Sequence, residues 1–232
     1  MSEGFIINET FWGLIVSGIY AGGLLAAFLV GLFRVCMKKK PLYFRLIVYA
    51  VGGFALEGIG FFVNSICTGS ADYIDVSVIS RFAYYVFLIS ASVGALDGLL
   101  DDKSMNNKKA RFLALIAPLL LGVCVAVYYV LFSGYLGSLD TVIGCLLGAF
   151  NMVSVYYALK HLLLPPDEIG FLKATRPINI MILVEAGVET VSDYLGILFP
   201  EMINALAFVY VAIFFMLIYF VLKGVKKWET LV

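Results

Sequence analysis

The sequence predicts an all-α membrane protein in which residues 1–232 form one domain of seven membrane-spanning helices. Hydrophobic residues make up 62% of the 232 residues and charged residues 14%, and the mean hydropathy is +1.01. A chain of this composition has too few polar residues to cover a water-exposed surface. A helix needs about 20 apolar residues to cross the hydrocarbon core, and seven stretches meet that requirement. We therefore expect a multi-pass protein of the cell membrane.

The seven predicted spans follow one another with short connections. In chain order they cover residues 11–35, 42–66, 76–100, 112–132, 139–161, 177–199 and 203–222. The first span ends in charged residues and lacks a small-residue cleavage site, which favours a retained helix over a signal peptide. The link LPPDEIGFLKATRP, before the sixth span, contains Pro and Gly and is predicted as a loop.

Basic and acidic residues are predicted to lie on opposite sides of the membrane. One side carries Lys38, Lys39, Lys40, Arg45, Lys103, Lys108, Lys109, Arg111, Lys173, Arg176, Lys223, Lys226 and Lys227. The short loops of the other side contain no Lys or Arg and carry Glu3, Glu9, Asp72, Asp75, Asp140 and Glu201. The positive-inside rule then predicts an outside N-terminus and an inside C-terminus. The zero formal net charge gives no indication of a nucleic-acid partner.

Motifs of soluble enzymes and metal sites do not occur in the sequence. The four cysteines have no CxxC spacing, and His161 is the only histidine, so neither a zinc site nor a bis-histidine haem is predicted. There is no Gly-rich phosphate loop and no GxSxG nucleophile motif. We expect no enzymatic activity and no metal.

Ionisable residues inside the predicted spans form the candidate site. Helix rise places Glu185 and Glu189 on either side of the midplane, and their i, i+4 spacing puts them on one helix face. Glu57 lies in the outer half of span two, and Arg81 and Tyr84 reach a similar depth in span three. Because charge is costly in hydrocarbon, we expect these five residues to form one cluster inside the bundle.

Three carboxylates and one guanidinium cannot all be ionised in a dry interior. Either at least one glutamate is protonated, or a cation or water compensates the excess negative charge. A functional cluster would be a proton relay, a cation site or a pocket for a positively charged ligand. The structural alternative is an ion pair between Arg81 and one glutamate, with the other carboxyl groups hydrated from outside. Intramembrane ionisable groups are functional by default, so we favour the functional interpretation.

Pairs of glycines four residues apart occur in three spans. Such pairs let helix backbones approach closely, either inside the bundle or at a contact between subunits. The pairs are Gly18 with Gly22, Gly94 with Gly98, and Gly144 with Gly148. We expect them to pack inside the bundle, and a contact between subunits of a homo-oligomer is the alternative.

The run RFAYY, which begins at Arg81, resembles the third helix of the microbial (type I) rhodopsin family, which has an Arg, aromatic, Ala, acid, aromatic pattern. Tyr84 stands at the position where that family usually has its proton-accepting acid. The segment FPEMINALAFVYVAIFFMLIYFVLKG resembles the seventh helix and the connection before it. The resemblance implies that Met216 replaces the retinal-binding lysine and that Ala212 replaces the second counterion. It implies a seven-helix bundle of microbial rhodopsin type without covalent retinal, and no other cofactor is expected.

Two functions fit these features. The first is a retinal-free rhodopsin-like receptor, transducer or ligand-binding protein with an outward-facing acidic pocket and a cytoplasmic or membrane signalling partner. The second is a proton or small-cation transporter or channel that uses the three glutamates. The inner halves of spans two, six and seven offer only Arg45 and Asn179 as polar groups, which favours the receptor. A structural subunit of a membrane complex is a third alternative. The lipid bilayer is the one partner that the composition itself implies.

The resemblance generates a prediction about retinal. An imine needs an amine, and the seventh span contains no lysine before Lys223 at its inner edge. Protein purified with all-trans retinal should therefore show no visible absorption band of a protonated Schiff base. A retinal adduct that borohydride reduces and that maps inside the helical bundle would contradict this prediction.

Overall fold

The fold is entirely helical in the residues that the computed structural model describes, which are 3–38, 40–66, 76–96, 108–132, 138–163, 170–199 and 202–230. Two π-helical turns, Leu32–Cys36 and Ala91–Leu96, extend the first and third helices. The seven α-helices are α1 Glu3–Gly31, α2 Leu42–Ile66, α3 Val76–Ser90, α4 Lys108–Phe132, α5 Ser138–Leu163, α6 Gly170–Leu198 and α7 Ile203–Glu229. The all-α prediction is confirmed for this part of the chain.

Four of the described helical segments are long and apolar enough to cross a membrane: Trp12–Cys36, Leu42–Ile66, Thr141–Leu163 and Asn204–Glu229. Two shorter apolar segments, Val78–Gly94 and Phe112–Tyr128, lie in α3 and α4. Large apolar side chains are exposed on the outside of every described helix, among them Phe112, Leu119 and Leu120 of α4. A surface of this kind is suited to lipid, and the fold fits an α-helical membrane protein.

The helices pack mainly against their sequence neighbours, and α1 also packs against α7. α5 lies beside α3, and α4 packs on α5 and α6. Lys40, which follows α1, forms an ion pair with Glu229 at the end of α7. We call this end of the bundle, where α1 and α7 finish and α6 begins, the basic end. Three of the acidic loop residues that predict the orientation, Asp72, Asp75 and Glu201, lie outside the described residues.

α6 begins at Gly170, earlier than the predicted start at Pro177, so the second half of the predicted loop is helical. A proline inside a helix has no N–H to donate to the carbonyl four residues before it, which here is that of Lys173. Lys227 Nζ donates to this carbonyl at 3.3 Å, and Arg176 Nη2 donates to the Leu162 carbonyl at 3.1 Å. Contacts from neighbouring helices thus support the first turns of α6.

The closest approach of α2 and α3 occurs at Gly53. A Cβ atom on this glycine would lie 2.8 Å from the Tyr84 nitrogen and 2.9 Å from the Ser80 oxygen. Because both atoms belong to backbone, a side chain here would force the two helices apart. Gly58 is similarly close to α1, where a Cβ atom would lie 3.1 Å from Ala21 Cα.

Only some of the glycines in the predicted pairs pack closely against another helix. A Cβ atom on Gly148 would lie 2.7 Å from Val125 of α4, and one on Gly18 would lie 3.2 Å from Phe62 of α2. On Gly22 or Gly94 it would meet nothing within 4 Å. The expectation of internal packing is therefore wrong for Gly22 and Gly94, which lie on the outside of their helices.

We predict opposite effects for alanine at two of these glycines. Gly53→Ala should lower the free energy of unfolding by about 1–3 kcal/mol because the new methyl group overpacks a backbone contact. Gly22→Ala, the matched control on an open helix face, should leave stability unchanged or raise it by about 0.5–1 kcal/mol through helix propensity. Thermal unfolding in detergent measures both changes. An unchanged Gly53→Ala protein would contradict the described contact between α2 and α3.

Candidate functional site

An ion pair between α2 and α3 forms the centre of the candidate site. Arg81 Nη2 lies 3.0 Å from Glu57 Oε1, and Arg81 Nε donates to the same oxygen at 3.0 Å. Arg81 Nη1 lies 3.7 Å from Glu189 Oε1 of α6. The structure thus brings three of the predicted site residues together, and one guanidinium serves two buried carboxyl groups.

Glu189 has a second partner, which the sequence analysis missed. The Tyr85 hydroxyl donates a hydrogen bond to Glu189 Oε2, and both side chains are buried. Tyr85 and Arg81 thus both approach the Glu189 carboxyl group from α3. Tyr85 is the second tyrosine of the RFAYY run, but its direction relative to α6 cannot be inferred from the run alone.

Glu185 is buried more completely and has fewer partners. It lies one helical turn nearer the basic end than Glu189, about 6 Å along the helix axis, and is 1% exposed. Neither carboxyl oxygen has a hydrogen-bond partner of ordinary geometry, and the same holds for the Tyr84 hydroxyl beside it. An ionised carboxylate is too costly to bury in this way. We infer that Glu185 carries a neutral carboxyl group.

A cavity of about 420 Å³ lies against the ion pair in the half of the bundle away from the basic end; we call it the outer cavity. Glu57 and Arg81 are its charged lining residues among those described, and Tyr210 Oη lies 3.0 Å from Ser192 Oγ in its wall. The remaining lining comprises Gly13, Val16, Ser17, Tyr20, Phe61, Ser65, Tyr128, Asn204, Leu206 and Ala207. The volume is in the range of small-molecule sites, about 300–1,000 Å³.

A second, smaller cavity of about 50 Å³ lies on the other side of Arg81 and is bordered by Tyr85, Asn151 and Glu189. Asn151 Nδ2 donates to the Ala186 carbonyl at 3.4 Å, whereas Asn151 Oδ1 has no hydrogen-bond partner. A polar space of this size has room for one or two waters. Arg81 lines both cavities and stands between them.

The two charged side chains that line the outer cavity differ in exposure. The Arg81 side chain is 28% exposed and that of Glu57 is 1% exposed. The outer cavity is therefore lined by a basic and an acidic side chain, whereas the sequence predicts an acidic pocket.

Ala212 and Met216 do not reach the cluster. Met216 is 50% exposed on the outer surface of α7, and Ala212 lies on the same exposed face. The residues of α7 that point inward are Tyr210, Phe214 and Leu217. Neither residue therefore lines the cluster, and their correspondence to the retinal site stays a prediction. α7 is apolar on all sides, so its sequence carries no periodicity that would fix the inward face.

The interior near the basic end contains more polar groups than the sequence analysis weighed. The Tyr43 hydroxyl donates to Asn179 Oδ1 at 3.3 Å, and both side chains are fully buried. Ser154 and His161 of α5 are also buried. The expectation that only Arg45 and Asn179 are polar in this region is therefore wrong, because it left out Tyr43 and the whole of α5.

An aromatic layer lies between α2, α3 and α7 at the level of the cluster. The ring centroid of Phe54 is 4.6 Å from that of Tyr84 and 4.6 Å from that of Phe214, and all three rings are buried. This layer closes the centre of the bundle on the basic side of the ion pair.

Comparison with known proteins gives no assignment, because no protein-family model, curated protein or solved structure matches the chain. The resemblance to microbial rhodopsins stays a prediction. Among the described residues, no group of three His, Cys, Asp or Glu side chains is placed to hold a metal ion. The function is therefore argued from the cluster and its cavities.

The protonation of Glu185 can be measured by infrared spectroscopy. At neutral pH the wild type should show a carboxylic C=O band because Glu185 is buried and the ion pairs of Arg81 are with Glu57 and Glu189 instead. The band should disappear in Glu185→Gln and persist in the control Glu57→Gln, since Glu57 is ion-paired with Arg81. Loss of the band in Glu57→Gln alone would show that the neutral carboxyl group is misassigned.

Proposed function

We propose that this chain is a retinal-free receptor, transducer or ligand-binding protein of the cell membrane whose ligand is a small amphipathic molecule. The observation that carries the proposal is the outer cavity, which combines a volume of about 420 Å³ with an ion pair at its floor. Ligand sites are mostly apolar with a few convergent polar groups. Ser192, Tyr210 and Arg81 supply such groups in an otherwise largely apolar lining.

We further propose seven spans, with the N-terminus outside and the C-terminus inside. α6 has 29 residues, enough to cross a bilayer at 1.5 Å per residue, but its sequence is less apolar than that of the four candidate spans. Two of its charged residues, Glu185 and Glu189, are buried in the bundle and do not contact lipid. Lys173 and Arg176 lie at the basic end, where the positive-inside rule places them in the cytoplasm.

A ligand in the outer cavity would contact residues of six helices and the guanidinium that joins α2, α3 and α6. A ligand shifts a conformational equilibrium only by its difference in affinity for the two states. Contacts with Arg81 provide such a difference, because the position of this side chain depends on the carboxyl groups of two other helices. The rhodopsin-like part of the proposal rests on the RFAYY run alone, since Met216 faces outward.

Proton or small-cation transport is the second candidate. Its support is the set of buried polar groups beyond the cluster: Asn151, Ser154, Tyr43, Asn179 and His161. Proton flux into proteoliposomes tests it directly. Flux that is lost in Glu185→Gln or Glu189→Gln would favour this candidate over the receptor.

The receptor proposal predicts that filling the outer cavity abolishes ligand binding. Ala207→Trp places a large side chain in the lining and should leave the ion pair intact, because the pair is formed by residues of α2, α3 and α6 and Ala207 lies on α7. In a thermal-shift screen of small amphipathic compounds in lipid nanodiscs, some compounds should stabilise the wild type and have no effect on Ala207→Trp. Gly22→Ala, on an open face of α1 outside the cavity, is the control.

Two results would contradict the receptor proposal. One is a screen in which no compound stabilises the wild type. The other is stabilisation that persists unchanged in Ala207→Trp, which would place the binding outside the cavity.

A further inference from the structure

We propose that the outer cavity recognises a small organic carboxylate with an apolar body, and that the ligand binds together with one proton. This inference names the ligand class for the proposed receptor and rests on that function. It starts from two side chains that line this cavity, that of Arg81, which is 28% exposed, and that of Glu57, which is 1% exposed. A ligand that enters the cavity meets the positive partner of the pair first.

The guanidinium has donors left for such a ligand. Arg carries five N–H groups, of which those on Nε and Nη2 serve Glu57 at 3.0 Å. Nη1 lies 3.7 Å from Glu189, which is beyond hydrogen-bond distance. A carboxylate matches the planar fork of a guanidinium better than other common anionic or polar groups except phosphate.

The lining of the cavity favours a carboxylate over a phosphate. Arg81 is the only cation that lines the cavity among the described residues, so a doubly charged group would lack compensation. Phe61, Val16 and Leu206 line the walls and suit a hydrocarbon or aromatic body. The ligand that fits is therefore a monocarboxylate with an apolar tail or ring.

Charge balance requires a proton to bind with the carboxylate. Arg81 already faces two carboxyl groups, those of Glu57 and Glu189, so a ligand carboxylate would be the third carboxyl group beside a single guanidinium. Added negative charge in a low-dielectric interior is unfavourable. If Glu57 or Glu189 takes a proton from solvent as the ligand binds, the net charge of the cluster and ligand stays unchanged.

Titratable and charged side chains face this cluster from five described helices. They are Tyr20 of α1, Glu57 of α2, Arg81, Tyr84 and Tyr85 of α3, Glu185 and Glu189 of α6, and Tyr210 of α7. α4 adds Tyr128 to the outer cavity, and α5 adds the uncharged Asn151 to the small cavity. Tyrosines stay neutral near pH 7, so the proton goes to a glutamate.

The test compares phenylacetate, phenylacetamide and phenethylammonium, which share an aromatic ring and differ in the head group. Calorimetry with the full chain in nanodiscs, corrected with empty nanodiscs, should show phenylacetate binding at least tenfold more tightly than the other two. Between pH 6 and 8 the dissociation constant of phenylacetate should rise about tenfold per pH unit, as expected for uptake of one proton. Titrations in buffers of different ionisation enthalpy count that proton independently.

Variants test the role of Arg81. Arg81→Gln alone leaves two buried carboxyl groups without a cation. We therefore combine it with Glu57→Gln, so that the double variant lacks one positive and one negative charge. The double variant should bind phenylacetate no more tightly than phenylacetamide. Gly22→Ala lies on an open face of α1 outside the cavity and should retain the preference for phenylacetate.

Several outcomes would overturn the inference. Tighter binding of phenethylammonium would assign the cavity to cations, and equal binding of all three probes would show recognition of the ring alone. A dissociation constant of phenylacetate that does not change with pH would exclude the coupled proton. Absence of phenylacetate binding, while another compound binds to wild type and not to Ala207→Trp, would refute the ligand class and leave the proposed receptor function standing. A preference for phenylacetate that survives in the folded double variant would exclude Arg81 as its cause.

Discussion

The interaction on which the site depends is the buried ion pair between Arg81 and Glu57. It forms because Gly53 lets the backbones of α2 and α3 touch, which brings residues one turn further along α2 within reach of Arg81. The same guanidinium approaches Glu189 of α6. Removing it would leave buried carboxyl groups without a cation, a change that typically costs about 3–5 kcal/mol. The packing of α2 on α3 and the chemistry of the cluster therefore depend on one another.

The tyrosines and phenylalanines around the ion pair divide the interior into separate spaces. Tyr85 holds Glu189 on one side of Arg81, and the Phe54, Tyr84 and Phe214 rings close the bundle on the basic side. Glu185 lines neither cavity. A molecule in the outer cavity can therefore reach Arg81 directly, whereas Glu185 senses it only through changes in the neighbouring side chains.

Hydrophobic length predicts the helices, and helix rise predicts that Glu57 and Arg81 lie at the same level of the bundle. The bounds of α2 match the prediction, and Glu57 and Arg81 meet. Rotation about a helix axis is not predictable where a segment is apolar on every side, so the outward direction of Met216 on α7 does not follow from the sequence. The hydrogen bond of Tyr85 is not predictable either, because it depends on how α3 is turned toward α6. The early start of α6 was missed because the contacts that offset Pro177 come from other helices.

The distribution of buried side chains bears on the choice between the two proposed functions. Between Glu185 and Asn179, α6 buries the apolar Met181 and Ile182, and between Asn151 and Ala158, α5 buries Val155 beside the polar Ser154. A proton or cation that left the cluster for the basic end would have to cross these side chains, where it would lose hydration without gaining a charged partner. Binding a carboxylate to Arg81 needs no such crossing. In the proposed receptor, the energy of that contact would change how α2, α3 and α6 share one guanidinium.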